Sequence, residues 1–282
     1  MQTVAIFGVG LIGGSFALAL RGAGFAGKIL GVSSADTTQR ALELGVIDEA
    51  AEPEPAAHAA DLIYLSQPIL QIIDSLPQIA ASIRPGALVT DAGSTKGEIV
   101  QRAAALFTNG EFLGGHPMAG RERRGVDAAE ADLFLGRPYV LTPHSITQLE
   151  QPNAQQFQQW LIKIGAVPIV LDPSEHDRIV AFTSHLPQLA STALAAMLSA
   201  RPEPKSRVFG PALLDSTRLA LSSFDIWGDI FTTNRGPILD ALRDYIAQLQ
   251  QLHDRFETAA LREEFDRAAN FALSLREPES VK

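Results

Sequence analysis

A chain of 282 residues, 46% apolar and 20% charged, is long enough for two domains of ordinary size, each with its own core. It contains no cysteine, which excludes disulfides, thiolate nucleophiles, iron–sulfur clusters and thiolate zinc sites, and fits a reducing compartment. With 32 acidic against 23 basic residues, a net charge of −9, it does not look like a protein that binds nucleic acid by neutralising phosphates, so an anionic ligand would have to be attracted locally.

Residues 1–20 carry no charged side chain, and the apolar run from Thr3 to Leu20 approaches the ~20 residues that span a bilayer. No Lys or Arg precedes the run, no small-residue cleavage pattern follows it, and Gly8, Gly10, Gly13 and Gly14 interrupt it. It therefore reads as a buried strand and the start of a buried helix. No other segment is a candidate span, so the expectation is a soluble, cytoplasmic protein with no membrane partner.

Short apolar strands are expected at Thr3–Phe7, Lys28–Val32, Asp61–Ser66, Ala87–Asp91, Glu111–Gly114, Tyr139–Thr142 and Val167–Leu171. Their near-continuous apolar character suits a parallel sheet covered on both faces. Helical stretches fit between them at Ile12–Gly22, Thr37–Gly45, Leu70–Ile83 and Lys96–Phe107, which gives an α/β, doubly wound Rossmann-type sheet. After Asp172-Pro173 only helical periodicity follows, at Ser174–Ser199, Pro211–Ser222, Gly236–Phe256 and Ala259–Leu275. The expected division is a dinucleotide-binding domain at 1–172 and an all-helical domain at 173–282.

The first chemical motif is Gly8-Val9-Gly10-Leu11-Ile12-Gly13, directly after the first strand and opening a helix. Glycines there allow a tight turn and close approach to a pyrophosphate, whose charge rests on the free N–H groups and dipole of the helix. The same glycines could instead serve only tight strand–helix packing. After the second strand, where an acid would select NAD through its ribose 2′-hydroxyl, stand Ser33, Ser34, Ala35 and Asp36. The serines lean toward the phosphate of NADP, Asp36 could serve the hydroxyl of NAD, and Asp36 or Thr37 could simply cap the next helix. The cofactor is therefore NAD or NADP. No metal site is suggested.

In a doubly wound sheet, ligands bind beyond the carboxyl ends of the strands. Four segments fall there: the glycine loop, Ser66-Gln67-Pro68, Asp91–Lys96, and the stretch Gly114–Gly120 with His116 in a glycine-flanked loop. An imidazole at that position can accept a proton from an alcohol while hydride leaves the same carbon. The remaining histidines, His58, His144, His176 and His253, lack such a context and read as surface or structural groups. His185 is set apart by Pro187, whose ring would clash with the Thr183 carbonyl and kink the helix, aiming His185 into a cleft unless it is a satisfied buried histidine.

Gly-Val-Gly-Leu-Ile-Gly-Gly-Ser at 8–15, Asp-Ala-Gly-Ser-Thr-Lys at 91–96, Gly-Gly-His-Pro-Met-Ala-Gly at 114–120, Ser-His-Leu-Pro at 184–187 and Asp-Ser-Thr-Arg at 215–218 occur in one order. Together they resemble the prephenate/arogenate dehydrogenase family of tyrosine biosynthesis, over almost the whole chain. The resemblance implies oxidative decarboxylation of prephenate or arogenate to 4-hydroxyphenylpyruvate or tyrosine, with hydride passing to NAD(P)+. It implies that His116 takes up the 4-hydroxyl proton, Ser94 orients that histidine and the hydroxyl, and Arg218 anchors the substrate. His185, Glu122, Asp215 and Trp227 match residues lining the family's substrate site, while Gly8, Gly10, Leu11, Ile12, Gly13, Ser33, Ser34, Ser66, Pro68 and Ser94 would meet the cofactor. Arg218 could also pair with Asp215 at i−3, and Trp227 could be plain core.

The chain departs from the family pattern in three places. Phe209–Leu214 replaces a glycine-rich stretch, Arg121-Glu122-Arg123-Arg124 forms an unusually basic run, and Gln67 stands where a small hydroxyl residue is usual. The first strand at Thr3 and the last helix near Leu275 lead to the expectation that no mutase or amino-acid-sensing domain is fused to it. The helical half resembles the family's dimerisation domain, and that resemblance implies a homodimer. Two other readings share the architecture: a β-hydroxyacid dehydrogenase or imine reductase, which would want a helix lysine that the second half lacks, and a dinucleotide-binding sensor without chemistry.

Overall fold

The computed structural model describes residues 1–121, 123–201, 208–256 and 258–276. Among these residues eight strands form one sheet: β1 (Thr3–Phe7), β2 (Lys28–Val32), β3 (Glu49–Ala50), β4 (Leu62–Leu65), β5 (Leu88–Asp91), β6 (Phe112–Pro117), β7 (Pro138–Thr142) and β8 (Val167–Val170). Their order is β3-β2-β1-β4-β5-β6-β7-β8. From β3 to β6 every pairing is parallel, with Val4 of β1 opposite Ile29 on one side and Leu62 on the other.

The inner strands are apolar because helices cover both faces. These helices are α1 (Leu11–Gly22), α2 (Ala35–Glu43), α3 (Pro53–Ala59), α4 (Ile69–Ser82), α5 (Gly97–Ala104) and α6 (Pro152–Lys163). Phe16 of α1 stacks on Tyr64 of β4 with ring centroids 4.0 Å apart and meets Phe134 and Phe157 edge-on. That aromatic knot fixes α1 against the sheet, and with it the orientation of the glycine loop at the helix start.

Several features depart from the sequence expectation. β7 runs antiparallel to β6, so the sheet is mixed at this end, although β7 and β8 pair in parallel. The reason lies in the connection from Pro117 to Pro138, whose described residues hold a 3-10 turn at Val126–Ala128 in place of the helix that usually makes a parallel crossover. α3 and α6 each begin with a proline at the first helical position. α6 escapes a periodicity reading because its glutamine-rich stripe buries only Ala154, Phe157 and Leu161.

Beyond Val170 the chain is helical: α7 (Pro173–Val180), α8 (Leu186–Ser199), α9 (Pro211–Thr217), α10 (Phe224–Thr233), α11 (Arg235–Asp254) and α12 (Thr258–Ser274). α10 was not among the expected helices. Between α7 and α8 a π-helical turn at Ala181–His185 opens the backbone ahead of Pro187, which sits in the first turn of α8. This is the physical answer to the expected clash with Thr183.

The chain divides into two compact units, Met1–Arg235 and Gly236–Lys282. The first contains the sheet together with α7 to α10. In the second, Gln248 of α11 donates to Glu264 of α12 at 3.3 Å. No helix among the described residues is long and apolar enough to cross a membrane.

Candidate active site

The glycine loop joins β1 to α1. Gly8 has φ +89°, and a Cβ there would lie 2.8 Å from the backbone nitrogen of Gln67. The Ser66 hydroxyl donates to the Gly8 carbonyl at 2.8 Å, which ties the end of β4 to the loop. A Cβ on Gly13 would run into that same carbonyl and the Ser66 hydroxyl, whereas a Cβ on Gly10 would meet nothing within 4 Å. Gly13 is thus needed for packing, while Gly10 faces open space at the positive end of α1. That helix has no side-chain cap and no acid in its first turn.

Beside the loop lies a cleft of about 350 Å³ lined by Ile12, Ser66, Gln67, Pro68, Ser94 and Arg124, with Asp225, Ile226, Asp229 and Ile230 of α10 forming a further wall. Three of the four expected carboxyl-end segments therefore converge. Asp229 accepts a hydrogen bond from the Leu70 backbone at 3.1 Å, and the Thr95 and Thr233 hydroxyls lie 2.7 Å apart, so α10 is tied to α4 and to the segment before α5. Gln67 presents a buried Oε1 with no hydrogen-bond partner among the described residues. An orphaned acceptor, an uncapped helix N-terminus and the free space over Gly10 fit a dinucleotide.

At the end of β2, Ser33 and Ser34 are both exposed. Ser34, rather than Asp36 or Thr37, caps α2, accepting from the Thr37 backbone at 3.4 Å. Leu11 is half-buried at the start of α1.

His116 is not in a loop. It is the fifth residue of β6, opposite Val140 of β7. The two glycines before it allow close strand packing: a Cβ on Gly115 would lie 2.6 Å from the Asp91 carbonyl, and one on Gly114 would collide with the Thr142 hydroxyl. His116 Nδ1 lies 2.8 Å from His176 Nε2, and His176 Nδ1 lies 2.8 Å from Asp177 Oδ1. Asp177 also accepts the backbone N–H groups of Lys96 at 2.7 Å and Gly97 at 2.8 Å. Burial, followed by electrostatic interaction with the neighbouring His176, Lys96 and His185, pushes the His116 imidazole well below its ordinary value of 6.5.

Beneath this group the buried Lys96 ammonium pairs with Asp91 and donates to the Gly115 carbonyl at 2.7 Å. Asp91 accepts from the Gly93 backbone at 2.9 Å and the Gly115 backbone at 3.1 Å. The ion pair is therefore satisfied on both sides, as a fully buried pair must be, and it holds the end of β5 to the residue before His116.

His185 is 1% exposed at the end of the π-helical turn. Its ring meets that of the half-buried Trp227 edge-on at 5.9 Å, and its Nδ1 lies 3.3 Å from the Asn234 amide nitrogen. Burial pulls it down to about 4. Arg218 opens a 3-10 turn, Arg218–Leu221, that α8 clamps through Gln188 to the Leu219 carbonyl at 2.9 Å and Ser191 to the Ala220 backbone at 3.2 Å. Arg218 and Asp215 are exposed. Glu122 lies outside the described residues. In the basic run, Arg121 pairs with Glu130 at 2.7 Å, while Arg124 reaches the cleft.

Sequence reading missed His176, Asp177, Asp91 and Lys96. His58, His144 and His253 are exposed, as expected for surface histidines, but His176 is 1% exposed and bonded to His116. The usable signal was His176-Asp177 in the first turns of a helix that starts just after the last strand. Asp91 and Lys96 were visible as the two ends of a motif in which only Ser94 had been given a task.

Residues 16–170 match the family profile described as prephenate dehydrogenase, nucleotide-binding domain, and residues 172–269 match the prephenate dehydrogenase dimerization domain. A prephenate dehydrogenase of Lactococcus lactis is 34% identical over 258 residues, which cover 89% of this chain and 70% of that protein. The crystal structure of Aquifex aeolicus prephenate dehydrogenase in complex with hydroxyphenyl propionate and NAD+ matches with a TM-score of 0.86 at 30% identity, covering 98% of this chain and 96% of the other. Synechocystis arogenate dehydrogenase matches with a TM-score of 0.81 at 31% identity, over 97% and 98% of the two chains. The glycine loop, the cleft beside it and the histidine at the end of β6 thus stand in a chain that belongs to the prephenate dehydrogenase family.

Proposed function

We propose that this protein oxidatively decarboxylates prephenate or arogenate, using NAD or NADP, with His116 as the general base. The observation that carries the reading is His116 itself. It stands at the carboxyl end of β6, one ring nitrogen is engaged by His176, and burial keeps the ring neutral, as an acceptor of the 4-hydroxyl proton must be. When bound, the nicotinamide takes the hydride from the carbon bearing that hydroxyl. The carbonyl formed there draws electrons from the ring, and the ring carboxylate leaves as carbon dioxide.

The other residues bind and orient. Gly8, Gly10, Gly13 and the start of α1, with Leu11 and Ile12, hold the pyrophosphate, while Ser33 and Ser34 lie toward the adenosine ribose. Ser66, Pro68 and Ser94 line the nicotinamide end, and Ser94 holds the substrate hydroxyl toward His116. Arg218 supplies a planar donor fork for a substrate carboxylate, with His185, Trp227, Asp215 and Glu122 around the substrate side chain. The functional division falls at residue 172, between the nucleotide half and a helical half through which two copies associate as a homodimer.

The decisive assay offers prephenate and arogenate, each with NAD and with NADP. At least one pairing should turn over, and His116→Asn should reduce that turnover by about 10²-fold or more while leaving cofactor affinity near normal. No turnover in any of the four would overturn the reading, and an unaffected His116→Asn enzyme would overturn the role of the histidine.

A further inference from the structure

The His116–His176–Asp177 chain has a direction that follows from its acceptors. Asp177 accepts two backbone N–H groups, from Lys96 and Gly97, so its carboxylate is an acceptor toward His176 as well, the third group bonded to it. His176 must then donate from Nδ1, which leaves its Nε2 as a bare acceptor. The only group facing that lone pair at hydrogen-bond distance among the described residues is His116 Nδ1, at 2.8 Å, which must therefore carry the proton. A neutral His116 protonated at Nδ1 has its free lone pair on Nε2. The charged and titratable groups around the chain are Lys96 with Asp91 from the β5–α5 segment and His185 from the π-helical turn. Lys96 is occupied by Asp91 and the Gly115 carbonyl, and His185 faces Asn234.

The site is built for this chain. A Cβ on Gly97 would lie 2.9 Å from Asp177 Oδ2, so the glycine at the start of α5 lets the carboxylate approach the backbone. The Asn234 side chain donates to the Asp177 carbonyl at 2.8 Å and holds α7 from the other side. His176 and Asp177 are 1% and 5% exposed.

We propose that His176 and Asp177 are positioning residues that fix His116 in its Nδ1–H form, aim its Nε2 lone pair at the substrate hydroxyl, and stabilise the imidazolium formed in the reaction. The inference rests on the proposed general-base role of His116. The proton balance is simple. The substrate O–H proton passes to His116 Nε2, the hydride leaves the adjacent carbon for the nicotinamide, and the Nδ1 proton stays on His116 in a hydrogen bond that becomes charge-assisted.

The test reads the histidine ring nitrogens directly. In ¹⁵N-histidine-labelled enzyme saturated with the cofactor that supports turnover, or with NAD if none does, His116 should show a protonated Nδ1 and a bare Nε2 at neutral pH. Its signals are assigned by their loss in His116→Asn. His176→Leu removes the acceptor. It should leave His116 in a mixture of ring forms and lower kcat by about 10²-fold, with the Michaelis constants within about twofold of wild type, the pattern for an orienting partner of a catalytic histidine. His176→Gln can still accept through its side-chain oxygen and should restore the Nδ1–H form and most of kcat.

A bare Nδ1 on His116 in the wild-type enzyme overturns the proposal, whatever the activity assays give. So does a His176→Gln enzyme no better than His176→Leu, or a His176→Leu enzyme whose kcat is unchanged. If His176→Leu does not fold, the wild-type ring form and the His176→Gln enzyme decide. Because the nitrogen spectra do not require turnover, failure of the positioning role is distinguishable from failure of the dehydrogenase reading.

Discussion

His185 shows how a single buried ring links the site to stability. Unfolded, it titrates near 6.5; folded, burial holds it at about 4. Between these values the unfolded chain binds the extra proton, so this contribution to stability is complete above pH 6.5 and is lost as pH falls toward 4. From pH 7 to pH 5 the loss from this one group amounts to about 2 kcal/mol. His185→Asn cannot titrate. Urea unfolding at the two pH values should show a pH-dependent loss smaller by about that amount in the variant, and equal losses in both proteins would mean that the ring is not held neutral. His116, pushed in the same direction for the same reason, adds to the acid sensitivity of the wild-type protein. His116 and His185 were legible as candidates because each stands one or two residues before a proline in a marked motif. Their partners were not. His176 lies 60 residues from His116 in sequence, and the packing of α7 against the start of α5 and against β7 brings the two rings together.

At the scale of elements, the glycine loop separates two kinds of glycine that look alike in a motif. Gly10→Ala places a methyl group in open space, so the free protein should unfold at the same temperature as wild type while dinucleotide affinity falls at least about tenfold, because the space needed by the pyrophosphate is taken. Gly13→Ala forces a methyl group against the Gly8 carbonyl and Ser66, and should destabilise the free protein by about 1–3 kcal/mol. Calorimetric titration with the cofactor and thermal unfolding without it distinguish the two, and a destabilised Gly10→Ala would show that the loop's free space is needed by the fold rather than by a ligand. The inner strands and this loop could be read from sequence because burial on both faces leaves long apolar runs and because the glycines sit at fixed offsets. α6 and the reversed β7 could not. A helix whose apolar stripe is three residues set among glutamines carries little periodic signal, and strand direction is decided by a connection whose lack of a helix shows only in three dimensions.

For the whole molecule, the net charge of −9 and the exposed apolar side chains make opposite demands. Two like-charged chains repel, yet the described helical residues leave Leu221 at 84% and Phe224 at 73% exposure in the first compact unit, and Phe265 at 72% and Phe271 at 65% in the second. Apolar groups of that size are rarely left to water in such numbers on a monomer, so association through them is the expected resolution. Light scattering should give about twice the 30.2 kDa of one chain at micromolar concentration. The driving force being apolar, the dimer should persist when salt is raised to about 0.5 M, where the repulsion between the two chains is screened beyond a few ångströms. Leu221→Asp combined with Phe224→Asp should shift the mass toward one chain by setting unpaired carboxylates in the contact, with the nucleotide half still binding the cofactor. A single-chain mass for the wild-type protein at low salt and at high salt would count against the dimer.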